Sequence, residues 1–148
     1  MHTLANRFHD LSASQKRMVH QILCEHALAK WREFCESKRR IAYVETVCGT
    51  HQAIDMLLPH DALRSVKESK DDAEVDRRYG EPIAAMQDED LSFPKPITFA
   101  YYAIYNTFNR YVLNADVDDW LIVNQALSAE TDESRRQLLL EAAIERAM

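Results

Sequence analysis

Two pairs of side chains in this sequence have the residue types and the spacing of metal ligands on a helix. His20 and Cys24 are four residues apart, and Cys48 and His51 are three apart, so a helix would present each pair on one face. Imidazole and thiolate are ligands that zinc commonly takes in proteins. Both cysteines stand among apolar residues, however, and buried thiols with hydrogen-bonded histidines explain the pairs. We expect no metal and no cofactor.

The same residue types could support nucleophilic catalysis by a cysteine. That chemistry needs a thiolate of low pKa, an imidazole in contact with it and a third group that orients the imidazole. Cys48, His51 and Asp55 would be the best-placed group if they shared one helix, but Gly49 interrupts that helix. No exposed cysteine precedes a predicted helix, so we expect that the chain is not an enzyme.

Carboxylates dominate the second half of the chain. Residues 68–148 contain 17 acidic and 8 basic residues, whereas residues 1–67 contain 7 and 10, and the whole chain has a net charge of −6. The Asp-x-Asp-x-Asp-Gly frame of calcium loops and the Glu-x-x-His pair of di-iron bundles are both absent. This excess of negative charge favours a basic protein partner and disfavours nucleic acid.

We expect the partner-binding surface to combine exposed carboxylates with aromatic anchors. Aromatic side chains supply buried contact area, and the charges steer the approach of the partner. Tyr102 is among the residues of the aromatic-rich segment 97–114 that the predicted core needs least. The predicted partner-binding residues are Asp71, Asp72, Glu74, Asp76, Tyr79, Asp88, Glu89, Asp90 and Tyr102.

Hydrophobic periodicity predicts the elements that position these residues. The expected fold is all-α, with residues 1–148 forming a single domain of roughly six to eight helices. Residues 41–48 fit a helix or a strand, and we favour a helix because no partner strand is evident. The main predicted helices span 13–36, 50–58, a short segment from His60, 82–86, 97–114, 117–127 and 132–147, and a loop is predicted over 87–96. The predicted caps are Ser12 for helix 13–36, Asp116 for helix 117–127 and Thr131 for helix 132–147, and Pro59 ends helix 50–58.

The composition also bounds the cellular setting. The first residues contain no long apolar run of the signal-peptide type, and no stretch approaches the roughly 18 apolar residues of a membrane span. Three cysteines cannot all pair, and their apolar surroundings suit reduced thiols. We therefore expect a cytoplasmic protein that does not contact the membrane.

Four segments resemble those of bacterial immunity proteins from toxin–immunity pairs, including the all-helical immunity proteins of contact-dependent growth inhibition systems. The segments are YVETVCGTHQ (43–52), EPIAAM (81–86), ITFAYYAIYN (97–106) and DDWLIVNQAL (118–127). The resemblance implies a protein that binds and neutralises a cognate toxin by stoichiometric occlusion. The toxin would be a nuclease domain with a basic cleft. The family has no catalytic motif, so the resemblance assigns no role to any single residue.

An acidic helical adaptor or regulatory module, unrelated to toxins, is the alternative function. It would present the same acidic surface to a housekeeping partner. An immunity gene should lie directly downstream of a large toxin gene, whereas an adaptor gene has no such neighbour. The sequence alone leaves the oligomeric state open.

Overall fold

Helices make up most of the structure that is described. A computed structural model of the chain describes residues 2–37, 42–45, 50–53, 57–77 and 93–148. The prediction of an all-α fold with six to eight helices is confirmed, because the described residues include six helices and a short helical segment at 73–77. In chain order the elements are α1 (His2–His9), α2 (Ala13–Ser37), β1 (Ala42–Glu45), β2 (Thr50–Ala53), α3 (Leu58–Glu68), α4 (Lys95–Tyr111), α5 (Asp119–Ser128) and α6 (Glu133–Ala147).

The long helix α2 lies at the centre of the fold and contacts α3, α4, α5 and α6. Two adjacent rows of its side chains are buried, one through Leu23 and Trp31 and the other through Cys24 and Leu28. Rows that repeat every four residues cover one face of a helix, and a second row widens that face. This wide apolar face therefore packs against several neighbours. Ser12 caps α2 as predicted, in a reciprocal pair of hydrogen bonds with Gln15.

Helix α4 packs against α2 through small and aromatic residues. Ala100 and Ala103 have no exposed surface, which lets the two backbones approach closely. Tyr101 places its ring 5.1 Å from the ring of Trp31, in a tilted arrangement that aromatic pairs favour. The predicted buried face of this helix is therefore confirmed at Tyr101, Ile104 and Phe108, which are fully buried.

A two-stranded antiparallel hairpin replaces two of the predicted helices. β1 pairs with β2 from Ala42 opposite Ala53 to Glu45 opposite Thr50. The helix predicted over 41–48 is therefore wrong at 42–45, and the helix predicted over 50–58 is wrong at 50–53. The segment that pairs with β1 is also compatible with a helix by its apolar spacing, so the sequence alone does not reveal a partner strand. β-Branched residues such as Val44 and Thr50 favour extended backbone.

Three helix boundaries differ from the prediction for local reasons. The prediction ended a helix at Pro59, but this proline lies in the first turn of α3, where a missing N–H removes no helical hydrogen bond. Lys95 and Pro96 were assigned to a loop and instead begin α4. No helix was predicted before residue 13, yet α1 is helical and buries Phe8 against the ring of Trp120. The helix predicted over 82–86 lies outside the described residues.

The capping residues of α5 and α6 were each misplaced in the prediction. The carboxylate of Asp118, and not that of Asp116, accepts the hydrogen bond from the backbone N–H of Leu121. Arg110 donates to the carbonyl of Val117, the residue that precedes this cap. Asp132, rather than Thr131, caps α6 by accepting from the N–H groups of Ser134 and Arg135. Among the described residues, no helix combines the length and apolar character that crossing a bilayer requires.

The cap of α5 supports a matched pair of substitutions. Asp118→Ala should lower the free energy of unfolding by about 1 kcal/mol, because it leaves a helix N-terminal N–H group without its acceptor. Asp116→Ala, at an exposed position two residues earlier, should change it by less than about 0.5 kcal/mol. Urea denaturation of both variants measures the difference. Equal losses would show that Asp118 does not act as the cap.

Candidate functional site

The acidic segment 71–76 lies at the surface after α3. Asp71 and Glu74 are exposed, and Asp72 and Asp76 are half-exposed. Val75 is only 6% exposed and joins the core, so it fixes the segment to the body of the protein. The Asp72 carboxylate accepts a hydrogen bond from the backbone N–H of Val75 at 3.1 Å, which starts the helical segment at 73–77. The structure thus brings four predicted binding residues together on one short anchored segment.

These four carboxylates are not neutralised by the basic residues described around them. Within the described ranges, no Lys, Arg or His nitrogen lies within 4.0 Å of a carboxylate oxygen of residues 71–76. The two lysines that are closest in sequence are paired elsewhere, Lys67 with Glu25 and Lys70 with Glu68. Carboxylates without a cation partner are available to a basic partner at little cost in lost internal contacts.

Of the other predicted binding residues, the structure describes Tyr102 alone. Tyr102 lies on α4, where it is half-buried and packs against the core. It therefore has less free surface than the aromatic anchor that we expected. Tyr79, Asp88, Glu89 and Asp90 lie outside the described residues.

His20 belongs to a polar cluster inside the core, where it has no exposed surface. Its Nε2 lies 2.8 Å from the carbonyl oxygen of Asp119, and its Nδ1 lies 2.6 Å from the hydroxyl of Tyr111. A carbonyl can only accept, so Nε2 carries the proton and Tyr111 donates to Nδ1. Burial lowers the pKa of His20 to about 4, so the ring is neutral near pH 7. Both ring nitrogens are occupied, and the ring links α2, α4 and α5.

Both described cysteines are protonated thiols in the core. Burial raises the pKa of Cys24 to about 12, and its Sγ lies 3.1 Å from the hydroxyl of Thr107. Burial also raises the pKa of Cys35 to about 11. Neither thiol therefore has the low pKa that a nucleophile needs. Cys48 lies outside the described residues, and within the described ranges no group of three or more His, Cys, Asp or Glu side chains could hold a metal ion.

Glu130 is a buried carboxylate that the sequence interpretation overlooked. Its side chain is 3% exposed and lies 3.1 Å from Nε2 of His26 and 3.5 Å from Nζ of Lys30. Burial opposes its ionisation, but the N–H of Asp132 and the charge of Lys30 outweigh that effect and lower its pKa. The spacing of His26 and Lys30, four residues apart on α2, could have indicated a shared acidic partner. Glu130 thereby joins the α5–α6 connection to α2.

Two grooves open beside this carboxylate. The larger has a volume of about 360 Å³ and lies between the C-terminal half of α2 and the start of α4, next to Lys30 and Phe34. The smaller has a volume of about 220 Å³, lies between α2 and α6, and is lined mainly by apolar atoms of Leu138, Leu139 and Ala142.

The buried histidine predicts a specific dependence of stability on pH. The pKa of His20 is lower in the fold, at about 4, than its ordinary value of 6.5, so the unfolded chain binds more protons between these pH values. This histidine should therefore remove about 3 kcal/mol of stability as the pH falls from 7 to 4. His20→Gln cannot titrate, so its deficit relative to the wild type should shrink over that range. A deficit that stays constant in denaturant titrations at several pH values would contradict this assignment.

Glu130 stabilises the fold in its charged form, whereas His20 does so in its neutral form. Its lowered pKa means that its contribution is complete above the ordinary glutamate value of 4.5 and is lost as the pH falls through the folded value. Glu130→Gln should cost about 2 kcal/mol at pH 7, because it removes the negative charge beside His26 and Lys30 and replaces one acceptor oxygen with an NH₂ donor. Glu36→Gln, an exposed position on α2, is the control and should cost less than about 0.5 kcal/mol. Equal thermal stability of the two variants would show that the buried carboxylate contributes nothing.

Comparison with known proteins identifies no relative of this chain. No family model, no curated protein and no solved structure matches the chain.

Proposed function

We propose that this chain is an immunity protein that binds a cognate toxin and neutralises it by stoichiometric occlusion through an acidic surface. The observation that carries the proposal is the segment 71–76, which holds four surface carboxylates that form no ion pair within 4.0 Å with any described basic side chain. Val75 anchors this segment to the core, so its charges are presented from a fixed position. A fixed array of negative charge is complementary to a basic cleft.

The charge distribution of the chain supports the choice of partner. The net charge is −6, and the excess of acid is concentrated after residue 67. A field of this sign accelerates the approach of a positively charged protein and repels nucleic acid. A nuclease domain binds phosphates with a basic cleft, so carboxylates in the place of phosphates can occupy that cleft. The proposed partner is therefore a basic nuclease toxin.

The described polar groups favour inhibition without turnover. His20 and Glu130 are engaged in internal hydrogen bonds, and the thiols of Cys24 and Cys35 are protonated. This leaves surface carboxylates as the groups free to act on a partner. Because a nuclease toxin would act on nucleic acid inside the cell, we propose that the neutralising protein works in the cytoplasm.

The proposal predicts that binding depends on where the charges are, and not only on how many there are. The variant Asp71→Lys with Glu74→Lys should weaken toxin binding at least about 10-fold and reduce its dependence on salt. The matched control is Asp10→Lys with Asp116→Lys, which changes the net charge equally at two exposed positions elsewhere. The control should retain most of the affinity.

The partner for this measurement is obtained by affinity capture from a lysate of the source organism. It is then purified and tested for toxicity, for nuclease activity and for binding to the two variants by calorimetry at low and high salt. A basic nuclease that discriminates between the two variants would support the proposal. Equal affinities of the folded variants would remove segment 71–76 from the interface, and recovery of a non-toxic housekeeping protein would favour the adaptor function instead.

A further inference from the structure

The outer face of α6 carries an apolar stripe that no described element covers. Leu138 is 64% exposed and lies on the side of the helix away from the buried Leu140 and Ile144. Ala142, one turn further along the same face, is also exposed. Single exposed apolar side chains are common on protein surfaces, so the stripe indicates a binding surface only together with the features beside it.

The groove between α2 and α6 lies directly beside this stripe. Leu138, Leu139 and Ala142 form the apolar part of its wall, and His26, Glu130 and Arg135 form the polar part. Its volume of about 220 Å³ is smaller than the roughly 300–1,000 Å³ of small-molecule pockets, and it suits a single apolar side chain. One patch of surface therefore contains both a protruding leucine and a groove that can receive one. A two-fold symmetric contact between identical chains requires this kind of self-complementary patch.

The charges on α6 distinguish between the possible arrangements of two copies. With 100° between successive residues, Arg135 and Arg146 fall on one side of the line through Leu138, and Glu141 and Glu145 fall on the other. Within the described ranges none of these four side chains has an ion-pair partner within 4.0 Å. Two α6 helices packed in parallel would bring the basic side of each against the acidic side of the other. An antiparallel pair would bring like charges together.

The groove lies on the basic side of α6, next to Arg135. In a parallel pair, Leu138 of each copy therefore faces the groove of the other copy at the same height along the helix. The same arrangement places Arg146 of each copy near Glu145 of the other. Apolar shape and charge thus select the same orientation.

We propose that two copies of this chain associate through α6 as a two-fold symmetric pair with parallel helices, each inserting Leu138 into the groove of the other. The contact involves one face of a 15-residue helix, so it belongs to the small interfaces that bury less than about 1,200 Å². We expect a weak dimer with a dissociation constant on the order of 10 µM. This pairing uses a different segment from residues 71–76, so it does not rest on the proposed toxin binding.

Sedimentation of the purified full-length chain tests the pairing, over concentrations from about 1 to 300 µM on either side of the expected dissociation constant. The weight-average mass should rise from 17.2 kDa towards twice that value. Leu138→Asp should raise the dissociation constant at least about 30-fold, because a carboxylate would replace the leucine side chain that the dimer buries in the partner's groove. Leu121→Asp is the control, since Leu121 is also an exposed leucine, 42% accessible, but lies on α5. It should leave the dimer unchanged.

Charge reversal tests the orientation. Glu145→Arg and Arg146→Glu should each weaken the dimer about 3-fold, and the double variant should restore it because the charges have exchanged sides. Thermal unfolding of each variant shows whether the monomer remains folded. A mass of 17.2 kDa at every concentration, or equal effects of the substitutions at Leu138 and Leu121, would overturn the dimer. Failure of the double charge variant to restore association would overturn the parallel arrangement.

Discussion

The rest of the described structure depends on the burial of α2 on more than one side. The face of α2 that packs against four other helices is closed to solvent, so each polar group buried on that face needs an internal partner. His20 finds Tyr111 and the Asp119 carbonyl, and Cys24 finds Thr107. These bonds reach from α2 to α4 and α5, and they fix the way in which the helices pack around α2.

The same requirement explains why the chemically capable residues are not free to act. Histidine, cysteine and a buried glutamate occur in this chain, but in the described parts the packing of α2 commits His20, Cys24 and Glu130 to internal contacts. Glu130 illustrates this point, because it accepts from His26 and Lys30 of α2 and from the backbone of Asp132 at once. Surface charge and the exposed apolar stripe of α6 are available to an external partner. Both proposals, the toxin interface and the paired α6 helices, use these surface features.

Several features of the fold were predictable from the sequence because the interactions behind them are local. The extent of α2 follows from its apolar periodicity and from the cap formed by Ser12 and Gln15, and the buried face of α4 follows from the spacing of Tyr101, Ile104 and Phe108. The hairpin was not predictable in the same way. Whether residues 42–45 become a strand depends on the neighbouring segment 50–53 becoming one too, and apolar spacing in either segment alone also fits a helix.

The candidate site was predictable in its charge and not in its geometry. The composition indicated the acidic surface, and segment 71–76 is indeed exposed. The spacing of His26 and Lys30 indicates a shared acidic partner, but it does not identify Glu130, which lies about 100 residues later in the sequence. Asp116 and Asp118 are the same residue type and both suit a helix N-cap, so the sequence alone does not decide between them.

Stoichiometric occlusion is the central claim, and a titration tests it most directly. The purified partner nuclease is held at a concentration well above the dissociation constant, and its activity is measured as this protein is added. Occlusion predicts a linear loss of activity that ends when the two proteins are equimolar, and gel filtration of the mixture then yields one complex. Complete inactivation by a small fraction of an equivalent would show turnover, and would contradict the account. Full activity beyond several equivalents would contradict it as well.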